Sequence, residues 1–378
     1  MLPFFTQDHA TLQVHARLWT EKNLFVGHGS EDLEMRARTL VKQLGAAGFL
    51  KHAVSKQFGG VREQVEARDL CILREELARG DALADTMFAL QALGSFPITL
   101  AGNAAQKQNH LSQVASGDAI AAFAITEPEA GSDVASLQTT AVRKGEQFAL
   151  NGTKRFISNA GIADFYVVFA STAPEKKAKG MSAFIVDANT PGLAVTGKTN
   201  LLSPHPIGVL EFTSCVVPQS ALLGADGDGL KIALETLDLL RCSVGAAAVG
   251  FAQRALEEAI RYSKTRRQFG RAIAEFQGIE FKLAEMATEL EAARLLVYQA
   301  AWAHDCDDAD AKQNSSMAKF YATEAAQRIV DQALQIHGGN GLIAGSIMER
   351  LYRDVRALRI YEGTSEIQKI VIARALLK

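Results

Sequence analysis

Between about residues 120 and 222 the apolar positions of this chain change period, and that change limits the fold more than any other feature. Before it the spacing is helical. EDLEMRARTLVKQL, with Ser30 as an N-cap and Gly45 and Gly48 available to end it, predicts one helix; REQVEARDLCILREELARG, stopping at Gly80, predicts another. Inside the altered region, DFYVVFAST (164–172), SAFIVDA (182–188) and GVLEFTSCVV (208–217) are short β-rich runs separated by turn residues, which predicts a small antiparallel sandwich or barrel. From Gly229 the helical period returns in four long apolar-faced stretches, 229–264, 277–305, 315–336 and 366–377, which suit an antiparallel bundle. The expected fold is α+β and mostly α. It has an N-terminal helical domain (1–119), a middle antiparallel β domain (120–225) and a C-terminal four-helix bundle (226–378).

Composition excludes several classes of function. Forty basic against 42 acidic residues give a formal charge of −2, so no global positive field gathers nucleic acid or an anionic membrane. Cys71, Cys215, Cys242 and Cys306 are scattered without metal or disulfide spacing, which implies a reducing compartment and no metal site. The first residues resemble no secretory or transit leader, and no charge-free apolar run reaches about 18 residues, so a cytoplasmic protein without membrane contact is expected.

Five motifs carry chemistry. In Ile360-Tyr361-Glu362-Gly363-Thr364-Ser365-Glu366-Ile367-Gln368, Ser365 and Gln368 have capping-box spacing, so a helix should begin just after Ser365 with Glu362 in the loop before it. A helix N-terminus suits an anion, although a solvated Glu362 and a chain reversal at Gly363 fit the residues as well. Ala124-Ile125-Thr126 runs into Glu127-Pro128-Glu129-Ala130-Gly131-Ser132-Asp133, a turn with unpaired N–H groups and hydroxyls fit to cradle a pyrophosphate or ring edge. Leu150-Asn151-Gly152 reads as a hairpin turn, and by alternation Phe156 and Ser158 would face one side of the strand that follows, for a flat heteroaromatic ring or for the core. Arg266-Arg267-Gln268-Phe269-Gly270, with Gln277 soon after, can hold phosphate or merely end a helix. Gln335-Ile336-His337-Gly338-Gly339-Asn340 follows a helix, so it is no Rossmann fingerprint. His304 to Asp308 reads as a solvated helix end.

Together, EPEAGSD, NGTKRFISNAG, LDLLR, RRQFG, QIHGGNG and IYEGTSEIQ, in this order from about residue 30 to the end, resemble the acyl-CoA dehydrogenase family, most closely its short- and medium-chain branches. The resemblance implies FAD-dependent α,β-dehydrogenation of an acyl thioester (acyl-CoA to trans-2-enoyl-CoA) by a homotetramer that passes electrons to a carrier such as an electron-transfer flavoprotein. It makes Glu362 the base for the α proton and Asp238, Arg241, Tyr361, Gly363 and Ser132 substrate neighbours. Phe123, Ile125, Thr126, Ser132, Phe156 and Ser158 would line the flavin, Ser158 by a hydrogen bond. Arg266, Gln268, Phe269, Gln277, Gln335, Gly338 and Gly339 would reach the ADP half across a subunit interface, with Thr364 and Glu366 at the helix start. Two departures stand out: Phe156 replaces the usual tryptophan, and Leu201-Leu202-Ser203-Pro204-His205-Pro206-Ile207 lacks the family's arginine, which leaves room for a carrier-protein-bound acyl group. The uncharged stretch 86–94 argues against a carboxylated acyl chain. An acyl-CoA oxidase, a nitroalkane oxidase (which would want Asp at 362) and a nucleic-acid-associated member are the competing readings; the charge and the intact Glu362 count against the last.

Overall fold

The structure, a computed structural model, describes residues 2–25 and 32–377. In chain order the helices are α1 (Gln7–Asn23), α2 (Leu33–Ala46), α3 (Ala67–Gly80), α4 (Ala82–Ala101), α5 (Ala104–Ser116), α6 (Gly229–Thr265), α7 (Gln277–Asp305), α8 (Ala311–His337), α9 (Ile347–Ala357) and α10 (Ser365–Leu376). The strands between α5 and α6 are β1 (Ala121–Ala124), β2 (Thr140–Lys144), β3 (Gln147–Ser158), β4 (Phe165–Ser171), β5 (Met181–Asp187), β6 (Leu193–Lys198), β7 (Ile207–Pro218) and β8 (Leu222–Leu223). The expected N-cap Ser30 lies outside the described residues; Asp32 caps α2, its carboxylate accepting from Met35 N. The order of helical, β and helical segments is the one the periodicity implied, with α9 as an additional short helix in the C-terminal region.

Two compact units share the chain: Met1–Gly27 with Glu66–Asp85 and Asp238–Lys378, and His28–Val65 with Thr86–Leu237. In the first unit α3 is the most constrained element, because Asp69, Arg74, Glu75, Glu76 and Arg79 are all buried on it. Buried charge is costly unless it is paired or hydrogen-bonded. Glu76 meets Arg17 of α1 at 2.9 Å, and Arg79 meets Glu257 and Glu21 at 3.0 Å each. Glu75 accepts from Arg294 at 3.0 Å and from the Tyr298 hydroxyl at 2.7 Å, both on α7. Asp305, expected in a solvated helix end, instead accepts from Ala67 N (2.6 Å), Arg68 N and Arg68 Nε, and so caps the N-terminus of α3 where a carboxylate best complements the free N–H groups.

In the second unit one sheet runs β6-β7-β3-β2-β4-β5-β8, with β1 also on β4. β4 is buried at all seven residues and forms the core with α5, through Phe165, Val167, Phe169, Leu111 and Val114. Most pairings are antiparallel as expected, but β1 and β2 each pair with β4 in parallel. Gln91 of α4 satisfies the free edge at the start of β1, donating to Ala119 O and accepting from Ala121 N at 2.8 Å each. Gly94 lets that helix approach, since a Cβ there would stand 2.7 Å from the Ala121 Cβ.

The Asn151-Gly152 hairpin is corrected. Both residues lie inside β3; the turn is Gly145-Glu146, with Gly145 at φ 62° and Lys144 paired with Gln147. Asn151 and Gly152 instead form a bulge against β7, where Asn151 Oδ1 accepts from Ser214 N at 2.7 Å and a Cβ on Gly152 would strike Thr139.

Beside this bulge, the fully buried Lys154 donates to Glu127 Oε1 at 2.7 Å and to Ile125 O at 3.2 Å. Burial draws the Lys154 ammonium down to about 8 against the opposing pull of Glu127. Lys154→Met, leaving a buried carboxylate without its cation, should cost about 3–5 kcal/mol. Urea unfolding checks this, and a loss under about 1 kcal/mol would show the pair to be dispensable.

Candidate active site

The loop between α9 and α10 carries Glu362 on a strained backbone. Glu362 has φ 52° and Gly363 φ 86°, two consecutive left-handed residues. A side-chain-bearing residue in that region is uncommon and marks a constrained position. Gly363 is required, since a Cβ there would stand 2.6 Å from Gln368 Nε2. The cap of α10 differs by one residue from expectation. Thr364, not Ser365, is the N-cap and accepts from Ile367 N at 3.3 Å. Ser365 is drawn away because its hydroxyl donates to Glu324 at 2.7 Å, while Gln368 reaches back to Gly363 O at 2.9 Å.

Glu362 does not face bulk solvent: its side chain is 11% exposed, and Oε2 is buried without a hydrogen-bond partner. Burial lifts its carboxyl above the ordinary carboxylate range, with Arg74 and then Lys319 pulling the other way. Neither cation belongs to a motif that the sequence marks. Arg74 of α3 grips Asp85 through Nε (2.8 Å) and Nη2 (3.0 Å) and donates from Nη1 to Ser243 Oγ (3.1 Å), so that Nη1 stands 4.0 Å from Glu362 Oε1. Lys319 of α8 donates to Gly363 O at 2.6 Å and Tyr361 O at 3.2 Å. Burial lowers its ammonium to about 8. Burial likewise raises the Tyr361 phenol beside Arg74. Arg241 is buried and ion-paired with Asp238 at 2.6 Å, and Asp238 also meets Lys312 at 2.8 Å.

A second group of expected residues gathers at a cavity of about 380 Å³ in the same unit, lined by Tyr262, Arg266, Gln268, Ile273 and the run Ile336 to Asn340. His337 stacks on Tyr262 with ring centroids 4.4 Å apart, and Asn340 donates to the Tyr262 hydroxyl at 2.9 Å. Arg266 forms no ion pair among the described residues, and Gly338 and Gly339 have open space where a Cβ would stand. A free guanidinium beside bare glycine backbone is a donor set for phosphate, so these residues fit the ADP end of a dinucleotide. Gln277 and Gln335 are exposed and do not line this cavity, and Phe269 is 93% exposed.

The remaining candidates lie in the second unit. Phe123 and Ile125 are spent in its core, Phe123 against Phe169 at 4.8 Å, which leaves only their backbone for a ligand. Thr126 is half-buried and Ser132 exposed. Phe156 has φ 55° and sits at a register shift between Lys154 and Ile157, so the inward-outward alternation is interrupted at Arg155 and Phe156, both exposed, whereas Phe156 and Ser158 flank the buried Ile157. The Arg155 guanidinium lies over the Phe156 ring at 4.7 Å. Ser158 has an unexpected partner, His205 Nε2 at 2.9 Å. Since His205 Nδ1 faces Ser203 O, Nε2 of the neutral ring, which burial favours, accepts a hydrogen bond from the Ser158 hydroxyl and leaves the Ser158 oxygen free to accept another.

Among the described residues one cluster, His9, Glu66 and Asp69, has metal-like proximity. There His9 Nδ1 accepts from Thr6 N at 3.1 Å, so Nε2 carries the proton and donates to Glu66, which makes this a capping histidine.

Comparison with known proteins decides the family. Models of the acyl-CoA dehydrogenase N-terminal, middle and C-terminal domains match residues 6–118, 122–215 and 227–377. This chain belongs to the acyl-CoA dehydrogenase family. It is similar to an "Acyl-CoA dehydrogenase" of Bacillus subtilis, 44% identical over 341 residues and 89% of each chain. It is also similar to a "3-(aryl)acrylate reductase" of Clostridium sporogenes, 40% identical over 99% of this chain and all of the other. The solved butyryl-CoA dehydrogenase of Megasphaera elsdenii superimposes with a TM-score of 0.92, at 34% identity over 99% of both chains. As a member of this family the chain is an oxidoreductase. No helix among the described residues is long and apolar enough to cross a membrane.

Gly363→Ala should lose about 1–3 kcal/mol, because alanine must adopt a left-handed backbone and displace Gln368. Thermal unfolding checks this; wild-type stability would mean the loop is not held in that conformation.

Proposed function

We propose that this chain dehydrogenates the α,β bond of an acyl thioester with FAD, Glu362 taking the α proton. The observation that carries the reading is the buried, unpartnered Oε2 of Glu362. A carboxylate that water does not solvate and no donor satisfies is a stronger base than a surface glutamate, and its next hydrogen bond is available to a substrate proton.

Removing a proton next to a thioester also requires the carbonyl to be polarised. The Glu362 N–H has no acceptor among the described residues and is the donor that the family resemblance assigns to that carbonyl. Arg74, held by Asp85 and Ser243, keeps the Glu362 side chain directed inward while supplying only part of its charge to it. Arg241 and Asp238 lie on α6 as substrate neighbours. FAD, when bound, supplies the redox chemistry by accepting the hydrogen that leaves the β carbon with its electron pair. Arg266, Gln268, Gly338 and Gly339 would hold its diphosphate, with Gln277, Gln335, Phe269, Thr364 and Glu366 as further contacts. Thr126, Ser132, Phe156 and Ser158 would meet the flavin half, Ser158 through its oxygen. Phe269 and Leu342, 93% and 70% exposed, are apolar surface that a homotetramer would cover. An electron-transfer flavoprotein is the natural acceptor, and four scattered cysteines without disulfide spacing support a cytoplasmic setting.

The substrate is an uncharged acyl chain on CoA. A carrier-protein thioester is the second reading, favoured by the arginine-free loop at 201–207, whose His205 is committed to Ser158. The name of the Clostridium relative denotes the opposite direction, which the same base serves by returning the proton.

Glu362→Gln preserves shape and removes the base. The purified variant should remain yellow with FAD yet be reduced by acyl-CoA at least ~10²–10⁴-fold more slowly under anaerobic stopped flow. Reduction at the wild-type rate would remove Glu362 from the mechanism.

A further inference from the structure

The buried ammonium of Lys319 has no part in the reaction as described so far. It lies on α8 at 0% exposure, and no carboxylate stands within ion-pair distance of it among the described residues. Burying a lysine without a close counter-ion is unfavourable, and two carbonyls accept its hydrogen bonds instead: Gly363 O at 2.6 Å and Tyr361 O at 3.2 Å. A staple for this loop would not need a charge. Gln368 already donates a neutral hydrogen bond to Gly363 O at 2.9 Å.

The Tyr361 carbonyl explains the choice of a cation. It belongs to the same peptide group as the Glu362 N–H, and in a planar trans peptide the two point in opposite directions. Fixing the oxygen on Lys319 therefore aims the Glu362 N–H away from α8. A charge-assisted bond at the oxygen also draws electron density through the amide and makes its N–H a better donor. That N–H is the one left without an acceptor among the described residues.

We propose that Lys319 is a positioning residue for the thioester carbonyl, orienting and polarising the 361–362 peptide so that the Glu362 N–H binds that carbonyl more strongly. The proposal rests on the acyl-thioester reading above. It adds that the anchoring of the carbonyl depends on a cation which never touches the substrate.

The test compares two ligands on FAD-loaded protein by calorimetry: pivaloyl-CoA, a thioester with no α hydrogen to lose, and neopentyl-CoA, the thioether of the same shape without the carbonyl. The wild-type protein should favour the thioester. Lys319→Met should narrow that preference by roughly three- to tenfold, with neopentyl-CoA affinity unchanged within about twofold. Lys319→Gln, which keeps a neutral donor, should narrow it too and carries the comparison alone if the methionine variant does not fold. A wild-type preference retained in both variants overturns the proposal, as does equal weakening of both ligands, which marks loop collapse. A wild-type protein that does not distinguish thioester from thioether would instead remove the acyl-thioester reading, and this proposal with it.

Discussion

A carboxylate buried on a left-handed backbone is the constraint around which the first unit is organised. Glu362 is held where water does not solvate it, so its charge must be offset by the protein, and two cations share that task without closing on it. Arg74 is occupied by Asp85 and Ser243 and stands 4.0 Å from Glu362; Lys319 is occupied by backbone carbonyls. A direct salt bridge would have stabilised the ionised form and weakened the base. The arrangement keeps the carboxyl raised, which is the property a proton abstractor needs near neutral pH.

That solution propagates outward. Placing Arg74 inside requires α3 to be buried, and α3 carries four other buried charges whose partners come from α1, α6 and α7. The helices of this unit are thus bound by paired charge as well as by apolar packing. Removing one partner strands the other, which couples the loop at 362 to distant helix contacts. The second unit is built differently. Its core is aromatic and aliphatic around β4, and the Ser158–His205 pair lies beside Phe156 at the bulged end of β3.

Much of this was legible in the sequence because periodicity reports burial of whole faces. The α, β, α order and the long C-terminal helices followed from it, and the loop before α10 from the capping-box spacing of Ser365 and Gln368. The failures have physical causes. Asn-Gly signals a tight turn, yet Asn151-Gly152 stays in the strand because the Asn side chain closes a bulge that Gly152 alone can occupy; the true turn at Gly145-Glu146 has a less telling composition. Thr364 and Ser365 are chemically equal caps, and only the tertiary partner Glu324 decides between them. Strand alternation broke at Phe156 because a register shift cannot be read from residue types. Arg74 and Lys319 were invisible for a deeper reason: a charged residue in a helix reads as surface, and its burial is set by a partner far away in the chain.

Proton transfer at the α carbon is the central claim, and it can be observed apart from the redox step. Wild-type protein and Glu362→Gln would each be incubated with a saturated acyl-CoA in D₂O, without an electron acceptor, and deuterium at the α carbon followed by NMR. The account predicts exchange in the wild-type protein and background exchange in the variant. Equal exchange in both, or none in the wild-type protein, would contradict it.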